Sequence, residues 1–113
     1  MIQSAAVDDV FLALSNPTRR KVLERLSAGP ATVSELAAPF DMQLPSFVQH
    51  LSVLEQSRLV RSKKRGRVRT YEIAPDRLKV AEDWLGTRRR MWEARLDRFD
   101  HHVLRLKEKE SAK

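Results

Sequence analysis

The sequence predicts a mainly α-helical fold with one small β-hairpin, and three observations lead to this prediction. Apolar residues recur at helical spacing up to Gln56, two short β-prone runs flank Gly66, and the chain after Asp76 is free of proline. The length of 113 residues suits one domain, and a hydrophobic content of 42% is enough to form a core. An aromatic content of only 6% disfavours a large β-sandwich.

Two helices are predicted at the start of the chain. Residues 7–14 carry apolar side chains at helical spacing, and a second helix is expected at residues 17–27. Asn16 suits the N-cap of the second helix because its side chain can accept from free backbone N–H groups, and Pro17 suits the first helical position. Gly29 lies just beyond the point where this helix is expected to end.

A short helix and a longer one follow. The short helix is predicted at residues 33–38, where Thr32 and Glu35 fit a capping box and Pro39 prevents continuation. The longer helix is predicted at residues 44–56. The apolar stripe that is expected to face the core consists of Leu44, Phe47, Leu51 and Leu54.

The helical spacing then gives way to a hairpin and a long terminal helix. Residues 59–64 and 68–73 are β-prone runs joined by residues 65–67, and a helix is expected from residue 77 to about residue 109. A short helix packed across a longer one, with a hairpin directly after it, is the order of elements in a winged helix-turn-helix. The sequence therefore predicts this fold.

The outer face of the fourth helix is the predicted DNA-reading surface. Gln49 points away from the apolar stripe, and Gln can pair with adenine while Ser and Val can contact phosphate and thymine methyl groups. The predicted contacts on this face are Ser46, Gln49, Ser52 and Val53. Gln43 and Pro45 add a predicted phosphate contact at the helix start, and His50 is given a phosphate contact with packing as the alternative. An ordinary polar surface is the competing interpretation of this face.

A dense group of basic residues surrounds the hairpin tip. Six of nine consecutive positions are basic and none is acidic: Arg61, Lys63, Lys64, Arg65, Arg67 and Arg69. Such density can follow the phosphate backbone or enter a minor groove, whereas protection of a sheet edge needs only one or two charges. All of these except Arg61 are predicted to contact DNA. Arg19, Arg20 and Lys21, near the start of the second helix, form a weaker basic cluster, part of which is expected to support the helix surface and part to contact phosphate. Arg19 and Arg20 are its predicted DNA contacts.

The net charge of +7 favours a polyanionic partner, either nucleic acid or an anionic membrane surface. No apolar stretch approaches the roughly 20 residues of a membrane span, and the N-terminus lacks the pattern of a signal peptide. The absence of Cys excludes disulfides, thiolate metal sites and Cys nucleophiles. The expected partner is double-stranded DNA rather than a membrane, and the expected location is the cytoplasm.

The terminal helix carries an apolar seam that is typical of helix pairing. One row repeats every seven residues and a second row interleaves with it: Leu85, Trp92, Phe99 and Leu106, then Leu96 and Val103. A helix of roughly 30 residues spans ~45 Å, which is longer than a compact domain of this size. Packing on its own domain is the alternative, but the seam favours a homodimer. The first helix is expected to complete the interface with Val7, Phe11 and Leu14.

These elements predict one winged helix-turn-helix domain over residues 1–113. Its DNA-binding core is expected at residues 7–76, with the wing at 59–73, and its dimerisation helix at residues 77–109.

Four segments resemble the ArsR-type winged-helix repressors. They are ALSNPTRRKVL at residues 13–23, TVSELA at 32–37, MQLPS at 42–46 and GRVRTY at 66–71. The resemblance implies a dimer that places its recognition helices and wings on DNA, and repression that an inducer releases in many members. The inducer of this chain is unknown. The family's small polar residue and the basic residue after it are here Val48 and Gln49, which implies a different operator preference.

No metal, cofactor or catalytic activity is expected. Metal-sensing members use Cys on the third helix, or Asp and His pairs on the terminal helix. Asp97 and His101 are four residues apart, but a site needs three or four ligands, and the neighbouring His102 points elsewhere on a helix. Nucleotide-binding and catalytic-triad motifs are absent. A non-specific architectural nucleic-acid binder and a protein-interaction module are the competing functions.

Overall fold

The computed structural model describes residues 2–111 and, over that range, contains five α-helices and one three-stranded antiparallel sheet. In chain order the elements are α1 (Ile2–Leu14), α2 (Pro17–Leu26), β1 (Ala31–Thr32), α3 (Val33–Ala37), α4 (Leu44–Gln56), β2 (Val60–Arg65), β3 (Val68–Ile73) and α5 (Asp76–Ser111). The mainly helical fold that the sequence predicts is confirmed.

Side-chain caps begin α2 and α3 where the sequence predicts them. The Asn16 side chain accepts hydrogen bonds from the backbone N–H groups of Thr18 and Arg19 at 2.9 and 3.2 Å. Thr32 and Glu35 form the capping box, in which each side chain accepts from the backbone N–H of the other residue. Both caps satisfy N–H groups that the first turn of a helix leaves without partners.

The core brings the inner face of α4 against the other helices and the sheet. The largest fully buried side chains are Val10, Val22, Leu36, Phe47, Leu51, Leu54, Leu59 and Val60. The rings of Phe40 and Phe47 pack with their centroids 5.3 Å apart. Because α4 is fixed along this whole face, the orientation of its opposite face is fixed as well.

The first helix is longer than the sequence predicts. α1 begins at Ile2 instead of residue 7, and Ala6 is buried. No proline or glycine precedes residue 7, so nothing in the backbone chemistry stops the helix earlier. Apolar spacing indicates which residues face a core, so it does not mark the residue at which a helix begins.

The sheet contains a strand that the sequence does not predict. β1 pairs antiparallel with β3, with Ala31 opposite Tyr71 and Thr32 opposite Thr70, while β2 pairs with the other side of β3. Two residues are too few for an alternating pattern to be recognised. The extra pairing connects the middle of β3 to the start of α3.

The bounds of α4 agree with the prediction, but the expected role of Leu44 in the core is wrong. Leu44 is 55% exposed, whereas Phe47, Leu51 and Leu54 are fully buried. A helical side chain covers the surface on the N-terminal side of its own Cα. For the first residue of a helix that surface lies beyond the helix, so the helical wheel does not determine its surroundings.

α4 ends in a Schellman motif that has arginine in the left-handed position. Arg58 has a φ of 60° and follows the C-cap residue Ser57. The Leu59 N–H donates to the carbonyl of Leu54 and the Arg58 N–H to the carbonyl of Glu55, both at 3.0 Å. Glycine is usual at this position because a Cβ costs roughly 1–2 kcal/mol there.

We expect Arg58→Gly to stabilise the protein. The free energy of unfolding should rise by roughly 0.5–1 kcal/mol, because relief of the left-handed strain exceeds the extra backbone entropy that glycine loses on folding. Urea unfolding monitored by circular dichroism measures this change. Arg58→Ala is the matched control, since it removes the charge and keeps the Cβ. Equal stabilisation by both variants would show that the charge, and not the backbone, is responsible.

Internal contacts divide the chain into two compact units, one ending at Ala81 and the other beginning at Glu82. The first unit contains α1 to α4, the sheet and the start of α5, where Ala81 joins the core. The second unit is the remainder of α5.

Candidate nucleic-acid interface

The outer face of α4 is uncharged and open to solvent. Ser46, Gln49 and Ser52 are exposed, and they lie on the side of the helix opposite its buried stripe. Val48, next to Gln49, is also exposed. Val53 is partly buried and packs against the core, so it offers less surface than the other three predicted contacts. The face therefore presents an amide and two hydroxyl groups, which are groups that suit base edges and phosphates.

The start of α4 is not covered by a capping side chain. Gln43 occupies the N-cap position and its side chain makes no capping hydrogen bond, while Pro45 lies within the first two helical positions. Both residues are exposed. A helix start of this kind leaves backbone N–H groups available to an anion.

The wing is the β2–β3 hairpin, and a two-residue loop closes it. Gly66 and Arg67 form the loop between the paired residues Arg65 and Val68. Gly66 has a φ of 60°, the conformation that the first position of a type II′ turn requires and that glycine adopts without strain. The basic side chains of the wing that are predicted to contact DNA are all exposed: Lys63, Lys64, Arg65, Arg67 and Arg69.

A chain of hydrogen bonds joins the wing to α4. Arg69 Nη1 donates to Ser62 Oγ at 2.7 Å, and Ser62 Oγ donates to Glu55 Oε1 at 2.8 Å. Nearby, Tyr71 is buried, and its burial followed by the charge of Glu55 raises the pKa of its hydroxyl. Sequence reasoning missed the roles of Glu55 and Ser62, because residues that meet only through the fold leave no local pattern.

The one acidic residue in the hairpin sequence is paired. Arg61 Nε lies 2.7 Å from Glu72 Oε1, opposite it in the β2–β3 register. The hydrogen bond from Arg61, and then its charge, holds the pKa of the Glu72 carboxyl below its usual range. Arg61 is the basic residue of this group that the sequence does not assign to DNA.

Arg19 and Arg20 are hydrogen-bonded to the end of α1. Arg19 Nε donates to the Ala13 carbonyl at 2.7 Å and Nη2 to the Leu12 carbonyl at 3.0 Å. Arg20 Nη1 donates to the Leu14 carbonyl at 2.6 Å. The last carbonyls of a helix lack partners within the helix and carry its negative end. The structure therefore gives partners inside the protein to two arginines for which the sequence predicts DNA contacts.

Arg19 also contacts α4. Its Nη1 lies 3.1 Å from His50 Nδ1, and both residues are partly buried. Burial, and then the charge of Arg19, lowers the pKa of His50 below its usual value of 6.5. The neutral imidazole is thus the form that this position favours.

The residues predicted to form the dimer interface differ in their exposure to solvent. On α5 the seam residues Trp92 and Phe99 are 59% and 62% exposed. The other seam residues that are exposed large hydrophobics are Leu85, Leu96 and Leu106, while Val103 is partly buried. In the first unit, Phe11 is exposed, Leu14 is partly buried and Val7 is buried.

Within residues 2–111, no three His, Asp or Glu side chains are grouped so that they could hold a metal ion. No helix in the described part of the chain is long and apolar enough to cross a membrane.

The arrangement in the first unit defines a class of protein. α3 and α4 form a helix-turn-helix, and a basic hairpin follows directly, which is the architecture of a winged DNA-binding domain. A family described as a helix-turn-helix domain matches residues 14–63. The transcriptional repressor SdpR of Bacillus subtilis is 32% identical over 79 residues, which cover 70% of this chain and 88% of SdpR.

Solved structures agree with this class. A crystal structure of an ArsR family transcriptional regulator has a TM-score of 0.77 and 51% sequence identity, covering 80% of this chain and 93% of that chain. An ArsR-like transcriptional regulator from Rhodococcus sp. RHA1 has a TM-score of 0.72 and 29% identity, covering 85% of this chain and 91% of that one. The chain belongs to the ArsR family of winged helix-turn-helix transcriptional regulators. The predicted fold class and family resemblance are confirmed, and the protein is a DNA-binding regulator.

Proposed function

We propose that this regulator is a repressor that binds an inverted-repeat operator as a homodimer. The observation that carries the proposal is the exposed, uncharged face of α4 beside a strongly basic wing within one compact unit. An uncharged face that carries Gln49, Ser46 and Ser52 can discriminate between bases, and the basic wing supplies affinity for phosphate. Repression is supported by the relative SdpR, which is named a transcriptional repressor.

The residues of the interface divide into two roles. Gln49 reads a base edge in the major groove, with Val48 and Ser46 close by on the same helix. The α4 N-terminus at Gln43 and the basic wing contact phosphates, which position the helix without reading the sequence. The family resemblance leaves the inducer open, and we assign none.

The dimer is proposed from the apolar surface of α5. The helix has 36 residues and is therefore ~54 Å long, and its exposed seam includes Trp92 and Phe99. Large aromatic side chains exposed in a row mark an association surface. A second copy covers the seam with an identical seam, and a two-fold dimer reads two half-sites about one helical turn apart (~34 Å).

Selection of bound duplexes from a random pool tests the proposal. We expect an enriched inverted repeat, bound by two chains per duplex, with an affinity well above that for a scrambled duplex. The alternative is a non-specific architectural binder, which the density of positive charge on the wing favours. Equal affinity for all duplexes, falling in parallel as salt rises, would support that alternative.

The wing arginine at the hairpin tip gives a separate expectation. Arg67→Ala should weaken binding to operator and scrambled duplexes alike, and the slope of log affinity against log salt should fall by about one unit, because one phosphate contact is lost. Fluorescence anisotropy at several salt concentrations measures the slope. Arg67→Lys keeps the charge and should keep the slope. An unchanged slope in Arg67→Ala would remove this residue from the interface.

A further inference from the structure

Arg19 connects three helices through one guanidinium group. Its Nε and Nη2 donate to the carbonyls of Ala13 and Leu12 in the last turn of α1, and its Nη1 meets His50 Nδ1 on α4. Its own backbone N–H donates to the Asn16 side chain that caps α2. Each of the three side-chain nitrogens has a partner within the protein, so the guanidinium plane is fixed between α1 and α4.

The hydrogen bonds from Arg19 to α1 are made at the C-terminal end of that helix. Leu12 and Ala13 lie within the last three residues of α1, where carbonyls lack the usual partner four residues later in the helix. The Leu12 carbonyl also accepts from the Ser15 N–H and hydroxyl at 3.2 and 2.6 Å. Ala13 is fully buried, and Arg19 Nε satisfies its carbonyl with a charged hydrogen bond of 2.7 Å. Arg19 therefore acts as a C-terminal cap for α1 supplied by the next helix.

The α4 side of the contact fixes the state of His50. An arginine has donors and no acceptor, so His50 Nδ1 accepts and the ring proton lies on Nε2. A protonated ring would face Arg19 with a second donor and a second positive charge. Burial, and then the charge of Arg19 on α2, lowers the pKa of His50 and so favours the neutral ring. The contact exists only while His50 is neutral.

We propose that Arg19 and His50 are positioning residues that lock α4 to the end of α1, and that they do not hold DNA phosphates. This inference rests on the proposed function, since it concerns how α4 is presented to the operator. His50 adjoins Gln49 on α4, and α1 carries Phe11 near the end that Arg19 caps. The lock thus sets the angle between α1, which is proposed for the dimer interface, and the face of α4 that carries Gln49.

The pH dependence of operator binding separates the two roles of His50 by sign. The pKa of His50 in the folded protein lies below its usual value of 6.5, so the stabilisation from the neutral contact should begin to fall as the pH drops below 6.5. At the lower pH where His50 becomes protonated in the folded protein, the lock should break and specific binding should weaken. A direct phosphate contact would respond in the opposite way, because a protonated ring attracts phosphate. His50→Asn keeps an acceptor near the position of Nδ1 and does not titrate, whereas His50→Leu has no acceptor.

The experiment measures affinity for operator and scrambled duplexes from about pH 8 to about pH 5, with thermal unfolding in parallel to mark the range in which the protein stays folded. Wild type should lose about tenfold in operator affinity on acidification, beyond any change in His50→Asn. His50→Leu should show that loss at all pH values, and His50→Asn should restore most of it. Because His50→Asn retains the other histidines, the difference between it and wild type reports His50 alone.

Arg19→Gln tests the role of Arg19 directly, and Arg25→Gln is the control because it removes the same charge from the same helix. Arg25 lies on the same helix, and its side-chain partners in the described part of the chain are the exposed Glu35 and the Gly29 carbonyl. If Arg19 positions α4, Arg19→Gln should lower operator affinity about tenfold more than it lowers scrambled-duplex affinity. Arg25→Gln should leave the ratio of these two affinities unchanged. Equal loss for both duplexes with a smaller salt slope would make Arg19 a phosphate contact and overturn the proposal.

The outcomes also separate this inference from the function on which it rests. A wild-type protein that never distinguishes the operator from a scrambled duplex overturns both. A specific wild-type protein whose affinity rises on acidification, with His50→Asn showing no such rise, leaves the function intact and overturns the positioning role.

Discussion

Replacement of Phe99 by glutamate is expected to leave the protein monomeric. Phe99 is 62% exposed in the single chain, so a carboxylate there costs the fold little. In a dimer the same carboxylate would be buried without a partner, which costs several kcal/mol. Operator affinity should fall roughly 10²–10⁴-fold, because a chain bound to one half-site no longer holds a second chain close to the other half-site. Sedimentation velocity gives the mass, and anisotropy titration gives the affinity.

Leu104→Glu is the matched control for this variant. Leu104 is 56% exposed on the same helix, but it lies outside the two apolar rows of the seam. It should remain dimeric with unchanged operator affinity. A Phe99→Glu protein that still sediments as a dimer would show that the seam is not the interface.

The second large effect is expected at Gln49. A bidentate contact to a base is worth ~1–3 kcal/mol, and a symmetric dimer makes it twice, so Gln49→Ala should lower operator affinity by ~2–6 kcal/mol. Affinity for a scrambled duplex should change little, because the exposed amide carries no charge. Competition binding with both duplexes measures the ratio directly.

Ser52→Ala is a useful comparison, since it removes one exposed polar group from the same face. It should have a smaller effect, because a single hydroxyl contact discriminates less well between bases than an amide that makes two hydrogen bonds. If Gln49→Ala lowers both affinities equally, then α4 does not read bases through this side chain.

Features set by neighbouring residues were predictable from the sequence. Asn16 caps α2 and Thr32 with Glu35 caps α3 because the groups that bond are within three residues of each other. The bounds of α4 agree with the prediction because its apolar spacing continues through the whole helix. Local chemistry and periodicity are sufficient for such elements.

Features that depend on distant contacts were not predictable. β1 becomes a strand only because β3 pairs with it some forty positions later (Ala31 with Tyr71). A basic residue has the same appearance in a sequence whether it faces solvent or, like Arg19, bonds to helix carbonyls and His50. For the interface as a whole, the sequence predicted which residues belong to it, and these assignments stay predictions. It did not predict the internal partners of Arg19, Arg20 and Arg69.

The connection between α4 and the wing is short and tightly held. Only Ser57, Arg58 and Leu59 separate the last residue of α4 from the first of β2, and Ser57 and Leu59 are buried. Leu59 is held on both sides, since its N–H donates to the Leu54 carbonyl and its carbonyl accepts from the Ala74 N–H. The offset along DNA between any bases contacted by α4 and any phosphates contacted by the wing would then be a constant of the fold. New operator preferences within this scaffold would arise from substitutions on α4 and the wing, while the spacing between these two elements stays the same.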